Sequence, residues 1–180
     1  MVWFEDPTFL TLLGTWVLVI GTILLMWWQT RTTRELNSAT SVMALRERFD
    51  GTQIRKARKI LATHLIHGQH DDVTNLEVGA YFELVGTLTH RRILDADLVW
   101  EAFGSWVTAY YWGLRHPVDV IGRARQGARD PLILHEFEWL ERRILAQDRH
   151  HTGARDPTPE ERDREANILL TREANLDLIE

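Results

Sequence analysis

The sequence predicts an all-α protein with one N-terminal transmembrane helix followed by a cytoplasmic bundle of about four to five helices. Three observations lead to this prediction. The first is a run of 20 uncharged residues from Phe9 to Trp28. The second is that apolar residues after this run recur at steps of three and four, the spacing of amphipathic helices. The third is that no segment alternates apolar and polar residues long enough to indicate a strand.

The composition of the 180-residue chain excludes several classes of protein. Because the chain has no cysteine, it has no disulfide framework, zinc ribbon or thiol nucleophile. Its 21 basic and 26 acidic side chains give a net charge of -5, whereas nucleic-acid-binding proteins are usually basic. We therefore expect no nucleic-acid partner. The lack of nucleotide-binding and catalytic motifs predicts no cofactor.

Residues 1–30 are predicted to form a transmembrane anchor. At about 1.5 Å per residue, the uncharged run is roughly 30 Å long, which is the thickness of the hydrocarbon core of a bilayer. A buried core helix and a cleaved signal peptide fit less well, because the run is long, follows acidic residues and offers no cleavage site. Aromatic and basic residues at the two ends match interfacial anchors: Trp3, Phe4, Trp27, Trp28, Arg31 and Arg34.

The distribution of basic residues predicts the orientation of the anchor. No Lys or Arg precedes the run, whereas residues 31–60 carry eight basic and three acidic side chains. Because positive flanks stay in the cytoplasm, we expect the N-terminus outside and the rest of the chain inside. The lipid bilayer is therefore an expected partner.

Small residues form one face of the predicted anchor at steps of three and four. Such a face lets another helix approach closely, so we expect a homo-oligomer or a membrane-protein partner to pack there. The alternative is that Gly and Thr are simply common in membrane helices. The face consists of Thr11, Gly14, Thr15, Leu18, Gly21 and Thr22.

Beyond the anchor, the chain divides into three predicted segments. Residues 31–50 form a basic, amphipathic juxtamembrane helix that ends at the sequence Asp-Gly-Thr. Residues 51–148 form a helical domain. Residues 149–180 form a polar linker and a weakly helical tail, whose start at Thr158–Glu161 matches a capping box.

The helices of the domain are placed by their apolar stripes and by their caps. We expect four main helices, with a short one after Pro117, and four aromatic side chains at the centre of the core. The helices are expected near residues 52–67, 73–92, 96–115 and 131–147. The core aromatics are Trp100, Phe103, Trp106 and Phe137.

Glu83 is the residue most open to a functional interpretation. It shares one helix face with Gly79, Gly86 and His90, and the glycines would let another backbone approach the carboxylate. The structural interpretation is an ion pair with an Arg of a later helix. The alternative is a catalytic acid. Glu138 recurs in a similar Phe-Glu pair, but the Glu-x-x-His partners of a di-metal site are missing.

A histidine cluster is the other polar feature of the domain. His64, His67 and His70 are spaced by three and precede two aspartates, which is a donor set for a divalent metal. A glycine ends the helix between them, however, and no metal-binding helix motif is present. A solvated helix end is the better interpretation, so the sequence predicts no metal site.

Several short motifs are distributed along the helical domain. They are Phe82-Glu83-Leu84-Val85-Gly86, Ile93-Leu94-Asp95, Phe103-Gly104, Tyr111-Trp112 and Phe137-Glu138-x-Leu140. Together with the N-terminal apolar run and the basic stretch, they resemble a family of small bacterial membrane proteins with a domain of unknown function, numbered 4760. The resemblance covers roughly residues 40–145. It implies a helical domain tethered to the bacterial inner membrane, and it supplies no reaction.

Two classes of function stay open at this point. The first is a non-enzymatic, membrane-anchored helical interaction or scaffold module that self-associates or regulates a membrane complex. The second is an enzyme or toxin-like effector with an acid–base site around Glu83. A closed pair at Glu83 favours the first class, and an open pocket that contains Glu83, His90 and an Arg favours the second.

Overall fold

The computed structural model describes residues 7–69, 76–153 and 155–176; for residues 7–15, 17 and 34 it describes the backbone and not the side chains. Within these ranges the chain forms seven helices and no strand, which confirms the all-helical part of the prediction. In chain order the helices are α1 Pro7–Asp50, α2 Thr52–Ile66, α3 Glu77–His90, α4 Ala96–Arg115, α5 Val120–Ala128, α6 His135–Thr152 and α7 Pro159–Ala174.

The prediction of a transmembrane anchor is wrong for the helices that the structure describes. Among the described residues, no helix offers a stretch that is both long and apolar enough to cross a membrane. The prediction of a single-pass protein of the bacterial inner membrane is corrected with it.

The chain divides into two compact units, Met1–Ser38 and Ala39–Glu180, and the division lies within α1. We call the second unit the helical domain. It contains the end of α1 and six further helices within the described ranges, where four to five were expected. The short α5 corresponds to the helix expected after Pro117, and the additional helix is α7, which the sequence placed in a weakly helical tail.

The core of the helical domain is aromatic and is centred on Phe49, the last apolar residue of α1. Its ring lies 5.3 to 5.6 Å from four other rings, those of Tyr81, Phe82, Phe103 and Trp106. Around this centre, α3 and α4 pack on α6, and α2 and α4 pack on α7. The fully buried side chains of greatest volume are Tyr110, Phe49, Phe82, Phe103, Phe137, Leu114, Ile121, Leu140, Val78, Val85, Val99 and Val107.

Helix ends follow local signals at most positions. Gly51 separates α1 from α2, and the Asp95 carboxylate begins α4 by accepting a hydrogen bond from the Asp97 amide at 2.9 Å. The capping box at Thr158 and Glu161 has both of its hydrogen bonds. Because Pro159 occupies the first position of α7, this helix starts with three favourable features.

The start of α6 differs from the expectation of a helix from about residue 131. Residues 131–134 form turns, and Leu134 adopts a left-handed backbone conformation with φ 54°. The Arg125 guanidinium donates to the carbonyl oxygens of Ile133, at 2.9 Å, and Leu134, at 3.4 Å. These bonds stabilise the turn, so α6 begins only at His135.

Candidate functional site

The face of α3 that carries Glu83 lies against the N-terminus of α6. The Glu83 Oε2 atom accepts a hydrogen bond from the backbone N–H of Phe137 at 2.7 Å. Leu134 is the N-cap residue of α6 and has no side-chain oxygen to satisfy the free N–H groups there. Glu83 therefore caps α6 from a neighbouring helix, and its charge complements the positive end of the helix dipole.

The two glycines beside Glu83 let the helices approach this closely. A Cβ atom at Gly86 would lie 2.8 Å from the carbonyl carbon of Glu136 and would overlap its oxygen. A Cβ atom at Gly79 would lie 3.0 Å from the side chain of Leu134. The backbone approach that the sequence predicted is thus made at Gly86, by the first turn of α6, whereas Gly79 faces the Leu134 side chain.

His90 and Glu138 lie at the same interface between α3 and α6. The His90 ring stacks on Trp139 with centroids 4.4 Å apart, and its Nδ1 lies 2.8 Å from Glu136 Oε2. Arg125 Nη2 lies 2.9 Å from Glu138 Oε2. Although partial burial raises the pKa of Glu138, the hydrogen bond and charge of Arg125 outweigh it and lower that pKa overall.

The acid–base interpretation of Glu83 needed a pocket with an Arg beside it. The structure gives its carboxylate a backbone amide as partner, and Arg125 of a later helix binds Glu138 instead. His90 engages Glu136. The groups that the sequence singled out are therefore used in joining two helices.

The histidine cluster is described only in part. His70 and the two aspartates after it lie outside the described residues. His67 Nδ1 lies 2.8 Å from the carbonyl oxygen of Thr63 one turn earlier, as at a helix end. Among the described residues, no group of three or more His, Asp or Glu side chains is arranged to hold a metal ion.

Sequence reasoning missed a buried ion pair between α2 and α7. Arg58 donates to Glu173 twice, from Nε at 2.7 Å and from Nη2 at 3.1 Å, and both side chains are about 95 % buried. Glu173 also accepts from Trp106 Nε1 at 3.1 Å and from the Tyr110 hydroxyl at 3.3 Å. Four donors thus satisfy a carboxylate that would otherwise be costly to bury.

A sequence signal for this pair existed. Arg58 lies on the apolar face of α2, four residues after Ile54, and Glu173 follows Leu170 by three on the apolar face of α7. Charged residues on apolar faces are rarely buried unless they are paired. Two oppositely charged residues in such positions are therefore expected to pair with each other.

The N-terminal unit carries an exposed apolar segment. Between Trp16 and Trp28, ten large apolar side chains are each 42 to 73 % exposed. We call residues 16–28 the apolar segment. The exposed side chains are Trp16, Leu18, Val19, Ile20, Ile23, Leu24, Leu25, Met26, Trp27 and Trp28.

Polar groups in and after the apolar segment are satisfied within α1. The hydroxyl groups of Thr22, Thr30 and Thr32 each donate to the carbonyl oxygen four residues earlier, at 2.7 to 3.0 Å. Arg31 lies over the Trp27 ring at 5.9 Å and binds Glu35 at 3.2 Å. The segment therefore offers apolar surface alone, and charge begins only at Arg31.

Part of the predicted packing face of α1 belongs to the apolar segment. Leu18, Gly21 and Thr22 lie in it, and nothing is found within 4 Å of a Cβ atom built at Gly21. The other three residues of that face lie outside the described side chains; these are Thr11, Gly14 and Thr15. Three of the six predicted interfacial anchors, Trp3, Phe4 and Arg34, lie outside them as well.

Comparison with known proteins gives one match. No curated protein and no solved structure matches the chain significantly. A family model matches residues 9–144, which is more than half of the chain and includes the apolar segment but not α7. The chain belongs to the family of this model, which is described as a domain of unknown function (DUF4760).

Proposed function

We propose that this chain is a non-enzymatic interaction module whose copies associate through the apolar segment of α1. The observation that carries the proposal is the exposure of ten large apolar side chains within 13 consecutive residues. A helix of that length makes more than three turns, so apolar side chains point to every side. Apolar surface of this extent marks a place that another molecule covers.

The number of copies follows from the distribution of apolar side chains. One neighbouring helix covers only one face, and a helix that is apolar all round needs neighbours on several sides. Each 100 Å² of apolar surface that a neighbouring copy removes from water adds about 2.5 kcal/mol to the free energy of association, so every covered face favours a further copy. We therefore expect a bundle of three or more copies rather than a pair.

The spacing within the segment supports a second copy as the occupant. Leu18, Thr22 and Leu25 are separated by four and three residues, which is the repeat of a coiled-coil seam. Gly21 leaves open space beside this seam, and the Thr22 hydroxyl is already bonded to the Leu18 carbonyl oxygen. In a parallel bundle, identical seam residues of neighbouring chains face each other.

Introduced thiols test this arrangement at single positions. Because the chain has no cysteine, the variants Leu18→Cys and Leu25→Cys each report only on their own site. Leu132→Cys is the matched control, since Leu132 is a leucine of the helical domain that is 66 % exposed. Under mild oxidation, we expect covalent dimers at positions 18 and 25 and far fewer at 132. Equal yields at all three positions, or none at any, would contradict the proposal.

A further inference from the structure

A cavity of about 550 Å³ lies between α4, α6 and α7 in the helical domain. Each helix contributes a row of side chains at steps of three or four, so one face of each helix lines it. The α4 row runs from Trp100 through Gly104 and Thr108 to Trp112. Positions 100 and 112 are three turns apart, or about 18 Å along the helix axis, and the cavity is therefore elongated.

The charges that line this cavity are mostly negative. Glu101, Glu141, Asp148 and Glu165 face a single basic residue, Arg162, among the described lining residues. Arg162 Nη1 binds Glu141 Oε1 at 3.2 Å. The other three carboxylates form no ion pair with any described residue. The cavity therefore carries uncompensated negative charge beside apolar walls.

Glu141 is the buried polar group of the cavity. Its side chain is only 7 % exposed, and its Oε1 atom accepts a hydrogen bond from Arg162. Its Oε2 atom accepts no hydrogen bond from the part of the chain that the structure describes. A buried carboxylate oxygen without a donor is costly, and a ligand N–H group at this position would satisfy it.

The walls between the charges suit an aliphatic chain. Ile144, Leu145 and Leu169 supply apolar surface, and indole rings lie at both ends of the α4 row. The Trp100 ring stacks on His151, and the Trp112 ring stacks on His116 with Arg162 above it. The attraction for methylene groups therefore comes from the apolar walls between the two rings. A compact, hydrated metal ion would gain nothing from these walls.

We propose that this cavity binds a linear aliphatic polyamine. One ammonium group donates to Glu141 Oε2, and further ammonium groups pair with Glu101, Asp148 and Glu165. The methylene spacers lie against the apolar side chains of α6 and α7. This inference is independent of self-association, because every lining residue lies in the helical domain.

Calorimetric titration of the full chain with spermidine at low ionic strength tests the proposal. We expect saturable binding that weakens roughly tenfold or more in Glu141→Gln, because a hydrogen bond to a charged group is lost. Glu47→Gln removes the same charge from an exposed site outside the cavity and should bind like the parent. Circular dichroism verifies that each variant is folded.

Two further measurements keep the proposal testable if Glu141→Gln fails to fold. The double variant Asp148→Asn/Glu165→Gln changes partly or fully exposed residues and should also weaken binding. An uncharged diol of the same length should not bind, and magnesium chloride at equal ionic strength should not displace spermidine more than sodium chloride does. Absence of saturable binding, equal loss in Glu47→Gln, or displacement by magnesium would overturn the proposal.

Discussion

Arg58 and Glu173 form a bidentate ion pair inside the helical domain although they are 115 residues apart in the chain. The pair fixes α7 on α2. Trp106 and Tyr110 of α4 complete it by donating to the same carboxylate. This arrangement makes the C-terminal helix part of the folded domain, although the family model ends at residue 144.

The first prediction is that Glu173→Ala strongly destabilises the domain. Arg58 would lose its bidentate partner and keep only the bonds of Nη1 to Asp50 and the Phe49 carbonyl oxygen. The expected loss is about 3–5 kcal/mol of unfolding free energy. Denaturant titration at one fixed chain concentration measures it. Glu165→Gln on the same helix is the control, since Glu165 is exposed and should change stability by no more than about 0.5 kcal/mol. Similar stabilities for the two variants would show that the pair contributes little.

The second prediction separates two glycines by their surroundings. Gly86→Ala places a methyl group against the Glu136 carbonyl and should cost about 1–3 kcal/mol, because backbone must move. Gly127→Ala in α5 meets nothing within 4 Å and should raise stability by about 0.5–1 kcal/mol through helix propensity. Thermal unfolding of both variants compares them directly. A Gly86→Ala variant as stable as the parent would rule out the close approach of α3 and α6.

The third prediction tests the capping role of Glu83. Glu83→Ala removes the acceptor for the Phe137 amide and should cost about 1–2 kcal/mol, as at other helix caps. Glu83→Gln keeps an acceptor oxygen and loses only the favourable charge at the helix end, which is about 0.3–1 kcal/mol. Denaturant titration gives both values. If Glu83→Gln lowers the unfolding free energy as much as Glu83→Ala does, the negative charge of Glu83 stabilises α6, and the hydrogen bond to the Phe137 amide contributes little.

The fourth prediction concerns alkaline pH. All three tyrosines of the chain are shifted: burial raises the pKa of Tyr111 to about 12 from 10.0, and raises the pKa of Tyr81 and of Tyr110 further. The charge of Glu173 adds to the rise of the Tyr110 pKa. Between the unfolded and folded pKa values, the folded chain therefore holds more protons than the unfolded chain.

The stability contributed by these tyrosines is fully present below about pH 10, their unfolded pKa, and is lost as pH rises through the folded values. Phenolate absorbance should therefore appear together with the loss of helical circular dichroism in an alkaline titration. Tyr111→Phe should remove about one third of that absorbance. Phenolate that forms near pH 10 while the helices persist would show that the tyrosines are accessible to water.

The sequence predicted elements whose signals are local. Gly51 ends α1, Asp95 caps α4, and the stripes of α2 to α4 place their helices within a few residues. The role of Glu83 could not be predicted, because its partner is a backbone amide 54 residues later that only the packing of α6 brings near. A side-chain partner can be sought in the sequence by its residue type, whereas a backbone amide is present at almost every residue and cannot be identified in this way.

The largest error of the sequence analysis came from the apolar run. Length, lack of charge and the aromatic and basic flanks indicated a transmembrane anchor, whereas no helix among the described residues is both long and apolar enough to cross a membrane. The packing role of the small-residue face, to which Leu18, Gly21 and Thr22 belong, stays a prediction.

Sedimentation equilibrium of the full chain in detergent-free buffer tests the central claim, self-association through the apolar segment. We predict a defined oligomer of at least three times the chain mass of 21.0 kDa. Leu25→Glu should reduce the mass toward one chain, because it places a charge in the buried seam, whereas Leu132→Glu in the helical domain should leave it unchanged. A parent chain that sediments at 21.0 kDa at every concentration, or as aggregates without a defined mass, would contradict the claim.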